Sequence, residues 1–215
     1  STAVSKADLV VLATPLATTM RLLDTISEHL STNTLVTDVA SVKQPVLEQA
    51  HDVLPDSVTF VGGHPMAGAE HSGIDHADDL LFENAVYALC LPEDVDDEAL
   101  DGPLAPFTDL IETTGGRPLT LDAARHDRLV AAVSHVPQLL SVALVNLVAT
   151  TEEDQEPEDL PLQLAGGGFR DMTRIASSPF DMWRDVLVGN ENAIHDALSR
   201  FRRHLRGMRN RLIEG

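Results

Sequence analysis

Apolar residues along this chain follow two regimes. Up to about residue 121, short β-rich runs alternate with stretches of helical periodicity. DLVVLATP (8–15), TLVTDVAS (34–41), VTFVGG (58–63), AVYALCLP (85–92) and RPLTL (117–121) read as strands. Between them, LATTMRLLDTISEHL, VLEQAHDVL and an acidic stretch from about Asp96 to Thr113 carry the spacing of helices. Short buried strands separated by helices predict a mostly parallel sheet covered on both faces. From Asp122 onward the strand signal disappears. A long apolar helix, an acidic link at EEDQEPED (152–159), a glycine-rich loop at 166–168 and two terminal helices remain. The fold class expected is therefore α/β followed by all-α, with domains at 1–121 and 122–215.

One segment tests whether the chain is soluble. LVAAVSHVPQLLSVALVNLVAT (129–150) carries no formal charge over a length that could span a bilayer. It also contains Ser134, His135, Pro137, Gln138, Ser141 and Asn146, and no second such segment follows. A helix buried in a core or a subunit interface fits better, with no membrane partner. Hydrophobic residues at 43% beside 23% charged describe a folded chain rather than a disordered one. Cys90 is the single cysteine and sits in an apolar run, so no disulfide framework exists within the chain. That favours a reducing, cytoplasmic compartment. The N-terminal residues STAVSKADLV lack a signal-peptide layout.

The formal net charge of −19, with Lys6 and Lys43 the only lysines, argues against a nucleic-acid partner. It fits a high-salt cytoplasm or an ordinary acidic protein, and the residues do not separate the two. Arg200, Arg203 and Arg206 recur at helical spacing near the end and read as a solvated or partner-facing stripe.

In open α/β sheets, ligands bind at the carboxyl ends of the strands. Here those ends read ATP (13–15), DVASVK (38–43) and GGHPMAG (62–68), small or polar residues suited to backing a flat ligand. No glycine occurs before Gly62, so no G-x-G-x-x-G turn follows the first strand. VGGHPMAGAEHSGIDHADD (61–79) holds His64, His71 and His76, spaced seven and five apart. Metal sites prefer shorter pairings, so no metal is expected, and His71 and His76 read as solvated loop residues. His64 differs, because it follows a strand and two glycines and precedes a proline. An imidazole with a pKa of about 6.5 suits a general base there; capping a turn is the alternative. In GGGFRDMTRIASSPFDMW (166–183), Arg170, Asp171 and Arg174 could hold a carboxylate or form structural ion pairs. His135 and Pro137 interrupt the apolar helix, which hints at a ligand-lining role.

DVASVK, GGHPMAGAEHSG with LFENAVYALC, and HDRLVAAVSHVPQLL followed by GGGFRDMTRIASSPFDMWRDVLVGN together resemble the prephenate/arogenate dehydrogenases of tyrosine biosynthesis, over residues 7–210. The resemblance implies a partial Rossmann-like doubly wound sheet joined to a helical dimerisation domain. It implies NAD- or NADP-dependent oxidative decarboxylation of prephenate to 4-hydroxyphenylpyruvate, or of arogenate to tyrosine, in a homodimer. His64 and Ser41 would be catalytic, His64 bonding the ring hydroxyl and Ser41 bridging it to substrate and cofactor. Arg174, His135, Glu70 and Asp171 would form the substrate pocket, and Thr14, Pro15, Ala40 and Ser41 would contact the cofactor. Many members read SHLPH where this chain has SHVPQ, so Gln138 replaces a histidine. The family's first strands and phosphate-binding loop are missing, so the expectation is a truncated chain of such an enzyme, weak in cofactor binding by itself. A non-catalytic dimerisation or small-molecule-binding module, or a dehydrogenase acting on another hydroxy acid, are the rival readings.

Overall fold

Parallel strands need crossover connections, and the first half of the chain supplies them in order. The computed structural model describes residues 3–68, 74–91, 102, 104–150 and 160–214. Its contacts divide into two compact units, residues 1–127 and 128–215. In the first unit, β1 (Leu9–Leu12), β2 (Leu35–Asp38), β3 (Thr59–Pro65), β4 (Val86–Cys90) and β5 (Arg117–Thr120) lie side by side in chain order. Helix α1 (Leu16–Ile26) links β1 to β2, and α2 (Gln44–Val53) links β2 to β3. Helix α3 (Ala105–Thr113) precedes β5 and is the described part of the acidic helical stretch; residues 92–101 and 103 lie outside the described residues. The five strands fall on the five apolar runs. All pairs are parallel except β3 with β4, where Gly62 faces Cys90 and His64 faces Ala88.

Successive side chains of a strand point to opposite faces of a sheet, and the core divides accordingly. Val10, Val36 and Phe60 pack with Leu23 and Ile26 of α1 and Val46 and Ala50 of α2. Their neighbours Leu9, Leu35 and Val61 pack with Phe107 and Ile111 of α3. Helices therefore cover both faces, and the sheet is doubly wound.

Cys90 closes β4, fully buried, and burial pushes its thiol up to about 12. We expect no reaction with a thiol reagent at pH 8 in the native protein and complete reaction in denaturant. Native-state labelling at the denatured rate would contradict this burial. The sign of the linked stability follows. The native thiol keeps its proton between the ordinary 9.0 and about 12 while the unfolded one loses it, so this contribution falls as pH rises through that window.

From Ala123 onward every described element is helical. Helix α4 (Ala123–Val130), a π-helical turn (Ala131–His135) and α5 (Val136–Ala149) form one continuous helix. Pro137 has no N–H to return to the preceding turn, and the ladder changes register just before it. By length and composition this helix could cross a membrane. It nevertheless buries His135, Gln138 and Ser141, and its Ala131 and Val136 pack on Ile194 and Ala197 of α9 (Glu191–Glu214). Between them come α6 (Leu160–Gln163), α7 (Gly167–Thr173), a 3₁₀ turn (Arg174–Ser177) and α8 (Phe180–Gly189). The glycines expected to form a loop instead start a helix: Gly166 is extended at its N-cap and Gly167 opens α7. The acidic link at 152–159 lies outside the described residues.

Candidate functional site

The turn leaving β2 is built on a buried ion pair. Lys43 and Asp38 are both fully buried and bonded to each other. Asp38 also accepts from the amides of Ala40 at 2.9 Å and Gly63 at 3.0 Å. Lys43 Nζ donates to the Gly63 carbonyl at 2.6 Å. Burial holds the Lys43 pKa below its ordinary 10.5, outweighing the attraction of Asp38. The pair ties the DVASVK turn to β3 at a place where only glycine fits. A Cβ on Gly63 would strike the Asp38 carbonyl oxygen and crowd Tyr87. Sequence reasoning passed over both charged residues. The available signal was a lysine at a strand end in a chain with only two.

That clamp positions His64. The residue lies inside the carboxyl end of β3 rather than after it, and it is buried. Its Nδ1 is 2.8 Å from His126 Nε2, and the two rings meet edge to face at 5.0 Å. His126 Nδ1 is in turn 2.7 Å from Asp127 Oδ1. The Asp127 carboxylate accepts the amides of Lys43 at 2.8 Å and Gln44 at 2.9 Å, where α2 begins. The side chain of Lys43, the residue at the N-cap of α2, makes no cap bond, so Asp127 caps that helix from far along the chain. His126 and Asp127 were missed because nothing local marks them; they sit in an ordinary amphipathic run, RHDRLV.

Around this edge the other expected residues take distinct places. Ser41 follows the clamp, half-buried, and its hydroxyl has no partner among the described residues. Ala40 is buried in the core. Pro15 is the N-cap of α1, and Thr14 Oγ1 lies 2.9 Å from Thr19 Oγ1. Glu70 and His71 lie outside the described residues, and His76 is exposed on a 3₁₀ turn. Among the described residues no group of three or more His, Cys, Asp or Glu is placed to hold a metal ion.

In the second unit, His135 is buried, with Nδ1 3.2 Å from Asn190 Nδ2 and its ring edge-on to Trp183 at 6.0 Å. Among the described residues, Gln138 Oε1 and Trp183 Nε1 are buried polar atoms without a hydrogen-bond partner. One acceptor and one donor left this way in the interior are an expensive arrangement unless a ligand meets them. Arg174 starts the 3₁₀ turn that packs on α5; it is exposed, as are Arg170 and Asp171 on α7.

Comparison with known proteins bears on both units. Residues 1–117 match the family model "Prephenate dehydrogenase, nucleotide-binding domain", and residues 122–215 match "Prephenate dehydrogenase, dimerization domain". The chain is 36% identical over 203 residues to a prephenate dehydrogenase of Bacillus subtilis, covering 94% of this chain and 53% of that one. It is 37% identical over 204 residues to that of Lactococcus lactis, with 93% and 53% covered. The chain thus spans about half the length of the curated relatives it matches. Among solved structures it is similar to the A. aeolicus prephenate dehydrogenase in complex with hydroxyphenyl propionate and NAD+, at 31% identity and a TM-score of 0.85, covering 96% of this chain and 69% of that one. It is also similar to the Synechocystis arogenate dehydrogenase, at 33% and 0.85, covering 98% and 73%. Both units carry the family's two domains in their order, and the chain belongs to the prephenate dehydrogenase family.

Proposed function

We propose that the protein performs NAD(P)-dependent oxidative decarboxylation of prephenate or arogenate. The observation that carries this reading is His64, a buried imidazole at the carboxyl end of β3, bonded through Nδ1 to a second histidine. In this role His64 Nε2 takes the proton of the ring hydroxyl as the carbon beneath it gives up hydride. Ser41, whose hydroxyl has no partner among the described residues, bonds the same oxygen and orients it. Arg174 takes a substrate carboxylate with its planar fork, with Asp171 and Glu70 tuning the charge around it. Gln138 Oε1 and Trp183 Nε1 offer an acceptor and a donor for substrate polar groups beside His135.

The residues present suit one part of a dinucleotide. Thr14, Pro15, Ala40 and Ser41 follow the carboxyl ends of β1 and β2, where a flat nicotinamide would lie. Among the described residues no glycine-rich turn joins a parallel strand to a helix. When bound, the nicotinamide supplies the hydride acceptor. Loss of carbon dioxide then lets the ring become aromatic.

The exposed apolar residues of α5, α8 and α9, including Val142, Val145, Phe180, Met182, Leu205 and Met208, support a homodimer through the second unit. The same reading places the protein in the cytoplasm as a soluble enzyme, with neither membrane nor nucleic acid as partner.

The test is turnover by the native full-length protein supplied with prephenate or arogenate and with NAD or NADP. Formation of 4-hydroxyphenylpyruvate or tyrosine with carbon dioxide is expected. No turnover of either substrate, in a protein that still dimerises, would favour the non-catalytic binding module. Within this assay Arg174→Lys should raise KM for the substrate by roughly 10–100-fold and leave KM for the cofactor alone, because lysine keeps the charge and loses the fork. An unchanged substrate KM removes Arg174 from the site.

A further inference from the structure

We infer that His126 and Asp127 are positioning residues that fix the tautomer of His64 and stabilise its protonated form. The inference rests on the reading of His64 as the base and adds the device that makes it one.

The donor inventory settles the direction of each bond. A carboxylate accepts only, so His126 Nδ1, 2.7 Å from Asp127 Oδ1, carries the hydrogen. Neutral His126 then has its lone pair on Nε2, which accepts from His64 Nδ1 at 2.8 Å. His64 is left with its lone pair on Nε2, the nitrogen a general base needs free of hydrogen. When His64 Nε2 takes a proton, the imidazolium still donates through Nδ1, and the charge of Asp127 lies one ring further on. No atom has to move for this stabilisation to act.

Asp127 is itself held. Two amides at the start of α2 bind its oxygens, and one of them belongs to Lys43, whose side chain is clamped to Asp38 and Gly63. Burial is the second observation. His126 and Asp127 are each 2% exposed, and solvent screening between them and His64 is correspondingly weak. Among the described residues the buried ionisable groups nearby include Asp38 and Lys43, which neutralise each other, and Tyr87 and Cys90 on β4, both held protonated by burial; α2 also carries Glu48, His51 and Asp52, and α4 carries Arg125 and Arg128. Asp127 is bonded directly to the histidine pair, through His126.

The experiment uses the native full-length protein with ¹⁵N-labelled histidine. At neutral pH the His64 ring should show a protonated Nδ1 and an unprotonated Nε2, and His126 a protonated Nδ1. His126→Phe keeps a ring in the space and removes the relay. It should lower kcat on the order of 10–10³-fold with little change in KM, and shift the acidic limb of the pH profile to lower pH. His126→Gln can accept through Oε1 and donate through Nε2, and should recover most of the rate. Wild-type His64 protonated at Nε2, or a folded Phe variant with unchanged kcat and acidic limb, overturns the inference. If His126→Phe does not fold, the wild-type tautomer and the Gln variant still decide it. If His64→Asn leaves turnover intact, the reading of His64 as base fails while the nitrogen spectrum still reports whether the relay exists.

Discussion

His64→Asn is expected to lower kcat by about 10²–10⁴, the usual range for loss of a general base, while KM moves little. Asparagine keeps a hydrogen-bonding side chain of similar reach and has no nitrogen that can take a proton. The buried position on β3 means the substitution leaves the backbone ladder with β4 intact, so the loss reads as chemistry rather than unfolding. The acidic limb of the wild-type profile, which protonation of the base would set, should vanish from any residual activity. His76→Asn is the matched control. That residue is exposed on a 3₁₀ turn, and its kcat should stay within about twofold, as for a group without transition-state contact. Equal damage from both substitutions, with activity abolished by a chelator, would instead point to a metal site in the histidine-rich loop.

Lys43→Met should destabilise the chain by about 3–5 kcal/mol, the range for removing one partner of a buried ion pair. Methionine fills most of the lysine's path, so the effect comes from Asp38, left buried with a charge and two backbone amides but no cation. For a chain of this size the midpoint of thermal unfolding should fall on the order of 10 °C. The double variant Asp38→Asn/Lys43→Met removes the stranded charge and keeps an acceptor for one amide. It should be more stable than Lys43→Met alone. A double variant that loses as much as the sum of the singles would mean that the two side chains act independently, against the geometry.

This second result bears on the first. Lys43 Nζ bonds the Gly63 carbonyl, the residue before His64, so a partly folded Lys43→Met protein should also lose activity. Measuring kcat per folded molecule separates placement of His64 from loss of the fold.

What the sequence by itself determined was everything carried by period and by unbroken motifs. The five apolar runs became the five strands, because a strand buried on both faces writes its length directly as a run. The loss of strand signal after Asp122 likewise marked the change to helices. His64 stood out through its two preceding glycines and following proline, and Gly63 proves to be needed where the β2 turn closes on β3. The glycines at 166–168 misled as a loop because glycine is as acceptable at a helix start as in a turn, and only neighbours decide between them.

The antiparallel pairing of β3 with β4 left no mark on the sequence, since strand direction is set by the path of the connection and not by the strand's own residues. Tertiary structure alone decided which polar groups surround His64. His126 and Asp127 are 62 and 63 positions further along, in a helix whose amphipathic pattern predicts only burial. Asp38 and Lys43 read as polar residues at a strand end until the fold removes water from both. Periodicity records which face of an element is buried. Which polar groups then meet in the dry interior depends on how distant elements pack, and a local pattern holds no information about that.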